Sequence, residues 1–190
     1  MNVIPIDLNV YSDEEALLAG LRSGDRHACA CLLKRFAPRV YAVALRMTND
    51  PDEAEDVLQE TFISAWRSLA DFRGDSSFRT WLYRIAYRSF LSEVRRRDAH
   101  TGEIAEHHAL APDQSEARAF MDDFDAALRQ LSPAQRDAVH FSLQRGFSHP
   151  EIAHIMGLPL GTVKTHVLRG RQKLQELLSD WQEGFGNGNA

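Results

Sequence analysis

The chain has 190 residues, 44% hydrophobic and 26% charged, with a formal net charge of −5. That length holds one ordinary domain or two small ones, and that balance excludes a chain too polar to form a core. No apolar run approaches the ~18–20 residues needed to span a bilayer, and Met1-Asn2-Val3-Ile4-Pro5-Ile6-Asp7 has no basic leader before a long apolar core, so neither membrane insertion nor a secretory signal is expected.

Cys29 and Cys31 are one residue apart, a spacing that suits neither a structural disulfide nor a zinc knuckle. A cytoplasmic location fits these features. The pI of about 5.9 argues against nucleic acid as a partner, but the average conceals a sorting of charge. Residues 50–60 carry six acids and no Lys or Arg; residues 73–97 carry seven arginines against Asp75 and Glu93. Residues 98–127 carry eight acids against Arg118, and residues 164–173 carry Lys164, Arg169, Arg171 and Lys173 with no acid. A docking partner feels such local fields over about 8–10 Å. Two basic stretches separated by an acidic one predict two nucleic-acid contacts.

Taken in chain order, the elements read as helices throughout, because period-two alternation is absent over any useful length. A first block runs over 12–97. Within it Asp50-Pro51-Asp52-Glu53 is a helix start, with an Asp cap, Pro at the first helical position and Glu at the third. Ala54, Val57, Leu58, Phe62, Ala65, Trp66 and Leu69 follow at three- and four-residue steps, which predicts one buried stripe. Residues 71–77 are turn residues. A helix over 78–97 follows, burying Leu82, Ile85, Ala86 and Val94. Residues 98–119 form an acidic linker, mobile over 98–115. A second block covers 120–181. Helix starts are predicted at Ser132-Pro133-Ala134-Gln135 and Ser148-His149-Pro150-Glu151, and C-caps at Gly146 and Gly157. A disordered tail is expected over 182–190.

The segment Phe147–Leu178 carries the most specific pattern. A short capped helix ends at Gly157, a turn contains Pro159, and a longer helix starts near Leu160. Such a pair seats its second helix in a major groove. Val163, Val167, Gly170, Leu174 and Leu177 are expected to face inward, leaving Thr162, Lys164, Thr165, His166 and Arg169 outward near the helix start, where base edges are read. Arg171 and Lys173 are placed to hold phosphates. Gly161-Thr162-Val163-Lys164-Thr165-His166-Val167 resembles the recognition helix of sigma-factor domain four, and also that of LuxR-type response regulators.

The first block separates these two. Asp52, Asp56 and Glu60 share a helical face at i, i+4 spacing, which costs stability rather than adding it and suits docking. Asp52-Glu53-Ala54-Glu55-Asp56-Val57-Leu58-Gln59-Glu60-Thr61-Phe62 resembles the sigma domain-two segment that binds the clamp coiled-coil of RNA polymerase. The resemblance implies that Asp56, Gln59 and Glu60, with Asp52 and Glu55, face core RNA polymerase, while Phe62 and Trp66 pack.

Phe72-Arg73-Gly74-Asp75-Ser76-Ser77-Phe78-Arg79-Thr80-Trp81-Leu82-Tyr83-Arg84-Ile85-Ala86 is similar to the promoter-melting segment of the same domain. Arginines alternating with aromatics suit single-stranded DNA, which asks for stacking surfaces and a basic track. A small loop at 73–77 suits a flipped base. Trp81 and Phe78 are expected in the core. Arg73, Arg79, Arg84, Tyr87, Arg88, Arg95 and Arg96 are the candidate DNA contacts here, and Thr162, Lys164, Thr165, His166, Arg169 and Arg171 those of the second block.

The chain is thus identified as a member of the extracytoplasmic-function sigma factors of the sigma-70 family: all-α, with two small helical domains on a flexible linker, the second a helix-turn-helix. Domain two would bind core polymerase and melt the promoter; domain four would hold the upstream element. The resemblance implies promoter DNA as a partner and an anti-sigma factor wrapping both domains, with no cofactor, metal or catalytic residue. Two positions depart from the family pattern. Arg88 replaces a frequent Asn, which touches the identity of the bases recognised, and Pro159 replaces a small polar cap. A LuxR-type regulator would need a receiver or sensing domain with buried strands, and the first 130 residues show none. No motif of an enzyme is present either. An anti-sigma-like module would not account for two basic patches.

Overall fold

The computed structural model describes residues 11–101, 116–143 and 146–179. Every described element is a helix, as the pattern predicts. The chain divides into two units, residues 1–107 and 108–190. None of the described helices is long and apolar enough to cross a membrane.

The first unit contains α1 (Glu14–Arg22), α2 (Arg26–Thr48), α3 (Pro51–Ser68), a 3₁₀ turn (Leu69–Asp71) and α4 (Phe78–Thr101). Caps set their ends. Asp13 accepts from the Ala16 amide, Asp25 from His27, and Asp50 from both Asp52 and Glu53. Asn49 ends α2 in the left-handed region (φ 56°), which an Asn tolerates far better than a branched residue. Leu17, Leu21, Ala28, Val40, Val57, Phe78 and Leu82 are all buried. Gly20 lets α1 approach closely: a Cβ there would stand 2.8 Å from both the Ala28 Cβ and the Tyr11 ring.

Three expectations shift in this unit. Helix α4 runs four residues past Arg97, to Thr101, so the linker begins later than position 98. Ala54, Val57 and Ala65 of α3 and Leu69 of the 3₁₀ turn are buried as expected, but Trp66 is 50% exposed. The seam takes Thr61 instead, fully buried, whose hydroxyl donates to the Val57 carbonyl at 2.6 Å. A threonine can be buried there because its polar group is satisfied within its own helix. Ile85 and Val94, expected inside, are only half-buried.

The second unit contains α5 (Glu116–Arg129), α6 (Pro133–Leu143), α7 (His149–Met156) and α8 (Leu160–Leu177). Ser132 and Gln135 exchange side-chain-to-backbone bonds at the start of α6, and Ser148 and Glu151 close a capping box at α7. Ala127, Leu128, Leu131, Val139, Leu174 and Leu178 form a core cluster. Gly170 brings α8 against α6, where a Cβ would meet the Val139 Cγ2 at 2.6 Å. Leu177, expected inward, is 39% exposed, and Leu178 is buried in its place. The helix ends there, so the last core contact falls four residues after Leu174. The segment 102–115 within the predicted linker, and the predicted tail at 182–190, lie outside the described residues.

Candidate nucleic-acid interface

In the second unit the turn between α7 and α8 is short because Gly157 adopts the left-handed conformation (φ 67°) and closes α7 onto the Ala153 carbonyl. Helix α8 then starts at Pro159 with no side-chain cap, so its first amides are left to solvent or to an anion. Val163, Val167, Gly170 and Leu174 are buried. Lys164, Thr165, Arg169 and Arg171 are exposed, and Thr162 and His166 half-buried at the edge of the same face. Two of the basic residues have intramolecular partners. Lys173 donates to the Gln130 carbonyl at 2.6 Å, and Arg171 reaches the Ser142 hydroxyl at 3.5 Å. Lys173, expected at a phosphate, bonds across the turn between α5 and α6.

In the first unit the loop between the 3₁₀ turn and α4 is braced from α1. Arg22 donates to the Phe72 carbonyl at 2.8 Å, and the Glu14 carboxylate accepts from the Phe78 amide at 2.9 Å. Ser77 caps the same helix end through the Thr80 amide. Gly74 takes φ 80° in the loop, a conformation open to glycine. Arg73, Asp75 and Ser77 are exposed, whereas Phe72 is buried against the rings of Phe78 and Trp81. The loop is therefore held at both ends on an aromatic floor.

Along α4, Trp81, Arg84, Arg88 and Arg95 follow at steps of three, four and seven and share one face. Arg88 and Arg95 are exposed, Arg84 and Trp81 half-buried. The stacking role expected of Tyr87 is not supported: it is buried and packs on Phe90, and a base needs an accessible ring. Phe78, Tyr83 and Phe90 are buried too. Trp81, expected in the core, is the aromatic of this run that keeps part of its surface on the basic face. Arg79 falls on another flank, near Tyr83. Burial pushes the Tyr83 phenol up, opposed by the positive charges of Arg39 and Arg79. Arg39, on α2, was not singled out because nothing in the spacing links it to α4.

Asp52, Glu55, Asp56, Gln59 and Glu60 are all exposed on α3, and Glu60 accepts a bond from Ser64 at 2.6 Å. Glu53 turns to α4 and pairs with Arg97 at 3.2 Å. Arg96 lies between the two surfaces: it binds Glu93 at 2.7 Å and approaches Asp56 at 3.8 Å. Those carboxylates hold its guanidinium above its ordinary pKa. The acidic and basic faces therefore adjoin at Asp56–Arg96. Beside the acidic face Leu33, Phe62, Ile63 and Trp66 line an apolar groove of about 340 Å³ between α2 and α3, which the acidic pattern alone did not disclose.

Residues 32–100 match the family Sigma-70 region 2, and residues 121–174 match Sigma-70, region 4. The RNA polymerase sigma-H factor of Pseudomonas aeruginosa is 33% identical over 180 residues, spanning 87% of this chain and 93% of that protein. The ECF RNA polymerase sigma-E factor of Haemophilus influenzae is 30% identical over 177 residues, covering 85% and 93%. The chain belongs to the extracytoplasmic-function sigma factors.

A solved relative, the sigma factor RpoE of Bartonella quintana in complex with the anti-sigma factor NepR, shares 34% identity with this sigma factor. It superposes with a TM-score of 0.66 over 77% of this chain and 94% of its own. The two-region match disfavours a LuxR-type regulator, which the recognition-helix motif by itself left open. The region-four match takes in all the candidate DNA residues of α8, at 162–171. The region-two match starts at 32, so Glu14 and Arg22, which brace the sigma factor's loop, lie outside it.

Proposed function

We propose that this sigma factor docks on core RNA polymerase through the exposed acidic face of α3, at Asp52, Glu55, Asp56, Gln59 and Glu60, and divides promoter recognition between its units. The observation that carries the reading is the distribution of charge over different helices: an exposed acidic face on α3, an adjoining basic face with Trp81 on α4, and a second basic face on α8. Helix α8 holds the upstream element as duplex. Lys164, Thr165, His166 and Arg169 face base edges, with Thr162 and Arg171 at the flanks. Its uncapped first amides favour a phosphate.

In the first unit Arg84, Arg88 and Arg95 track the unpaired strand at the start-proximal element, with Trp81 as a stacking surface and Arg73 at the loop. Arg96 borders this track, and Arg79 lies on another flank of α4, near Tyr83. Binding to unpaired bases offsets part of the cost of opening the duplex. The protein itself has no catalytic role; polymerase does the chemistry, in the cytoplasm. An anti-sigma factor is a further partner, supported by the relative solved with NepR.

Transcription in vitro with purified core polymerase on a promoter library tests the reading. New start sites dependent on the added protein are expected. Arg84→Ala with Arg88→Ala retains core binding and loses open complexes, and Asp56→Lys with Glu60→Lys loses core binding. Failure of the native chain to associate with core overturns the proposal.

A further inference from the structure

Helix α8 carries an apolar side chain in the middle of its charged face. Leu168 is 59% exposed, more than any other large hydrophobic residue among the described residues. A lone exposed leucine is ordinary; its place is what matters here. The buried seam of α8 is Val163, Val167, Gly170 and Leu174. At 100° per residue, Thr165, Leu168 and Arg169 lie together on the opposite side, at i, i+3 and i+4. This is the face that the reading above turns toward base edges, and the inference rests on that reading.

The chemistry of Thr165 supplies an independent observation. Its hydroxyl donates to the Gly161 carbonyl at 2.9 Å. A hydroxyl has one proton, and here it is committed inside the helix. What Thr165 offers outward is a methyl group and oxygen lone pairs. Lys164 and Arg169 therefore flank two apolar groups, the Thr165 methyl and the Leu168 isobutyl. In the major groove, thymine alone among the bases presents an apolar substituent, its C5-methyl.

We infer that Thr165 and Leu168 form an apolar reading patch for the C5-methyl of a thymine in the upstream promoter element. Lys164 and Arg169 supply attraction and polar contacts on either side, while the patch discriminates thymine from cytosine at one position. Removing one buried methyl costs about fourfold in affinity.

The test uses reconstituted holoenzyme and the tightest upstream-element duplex selected from a random library. Each thymine in turn is replaced by deoxyuridine, which deletes only the methyl. At one position the native protein is expected to bind about fourfold more weakly. Leu168→Ala is expected to bind the thymine duplex about fourfold more weakly than native and to be indifferent to deoxyuridine at that position. Thr165→Ser, which keeps the hydroxyl and loses the methyl, reduces the same sensitivity. The DNA change leaves the protein untouched, so a folding defect cannot imitate it. If native holoenzyme selects a duplex but no thymine-to-deoxyuridine change matters, the inference fails while the reading of α8 stands. It also fails if Leu168→Ala keeps full methyl sensitivity; a Leu168 that matters only for binding a protein partner gives that result. If no duplex is selected above nonspecific background, the reading of α8 fails as well.

Discussion

Replacing Gly170 with alanine tests whether the position of the recognition helix is set by one close approach. An alanine Cβ at 170 would stand 2.6 Å from the Val139 Cγ2, well inside contact distance, and Val139 is fully buried on α6. Valine is stiff about χ1, so its methyl does not swing away easily. Overpacking of this kind costs about 1–3 kcal/mol, while replacing a helical glycine returns about 1 kcal/mol. A net loss of about 1 kcal/mol is expected for Gly170→Ala. Val139→Ala deletes two carbons from a full core and is expected to cost about 2 kcal/mol. In the double variant the new Cβ occupies the space left by Cγ2, and the helix-propensity gain survives. The double variant is therefore expected to lose only about 1 kcal/mol, a coupling of about 2 kcal/mol. Hydrogen exchange of the slowest α6 and α8 amides measures the second unit separately. Duplex binding should fall for Gly170→Ala and recover in the double variant, because α8 moves away from α6 and then returns. A stabilising Gly170→Ala, or additivity within about 0.5 kcal/mol, would refute the reasoning.

Other outcomes follow from the first unit. Glu14→Ala removes a carboxylate from the α4 N-terminus; a loss of about 1 kcal/mol, read as about fivefold faster exchange of the Phe78 amide, is expected together with weaker promoter opening and unchanged duplex binding. A double-mutant cycle on Glu53 and Arg97, both largely shielded, is expected to give about 1 kcal/mol, whereas Asp56 and Arg96, each more than 60% exposed, should give close to zero. The Tyr11 hydroxyl, and then the His27 amide, hold the Asp25 carboxyl below its ordinary value of 3.8. The stabilisation from that bond is present above this value and disappears as pH falls through the lower folded pKa. The same bond raises the Tyr11 phenol above 10.0, so on the alkaline side the benefit is lost as pH rises through that raised value. Urea melts of native and Tyr11→Phe protein should differ near neutrality and converge at both extremes; curves that stay parallel in acid would contradict this assignment.

The helices were legible because their signals are local. Asp50-Pro51 and the Ser148–Glu151 box cap helices through atoms only a few residues apart, and Gly157 marks a C-cap through its own backbone freedom. The inward face of α8 was legible from spacing up to Leu174. Spacing failed where the helix ends, at Leu177, and where one helix has more apolar residues than the seam accepts, at Trp66. The candidate residues of α3 and α8 were legible as charge patterns, and all but the edge residues Thr162 and His166 are exposed. Tyr87 was not, because alternation of arginine and aromatic residues does not say which rings the neighbouring helices cover.

By itself the sequence determined the all-helical character of the chain and the caps at Asp50, Ser132, Ser148 and Gly157, since each follows from residues within a turn or two of one another. Tertiary structure alone decided which aromatic stays accessible on α4, that Glu14 and Arg22 of α1 hold the loop before α4, and that Lys173 closes a turn. These pairings join residues 43 to 64 positions apart. Only packing brings such residues together, and no periodicity along the chain records it.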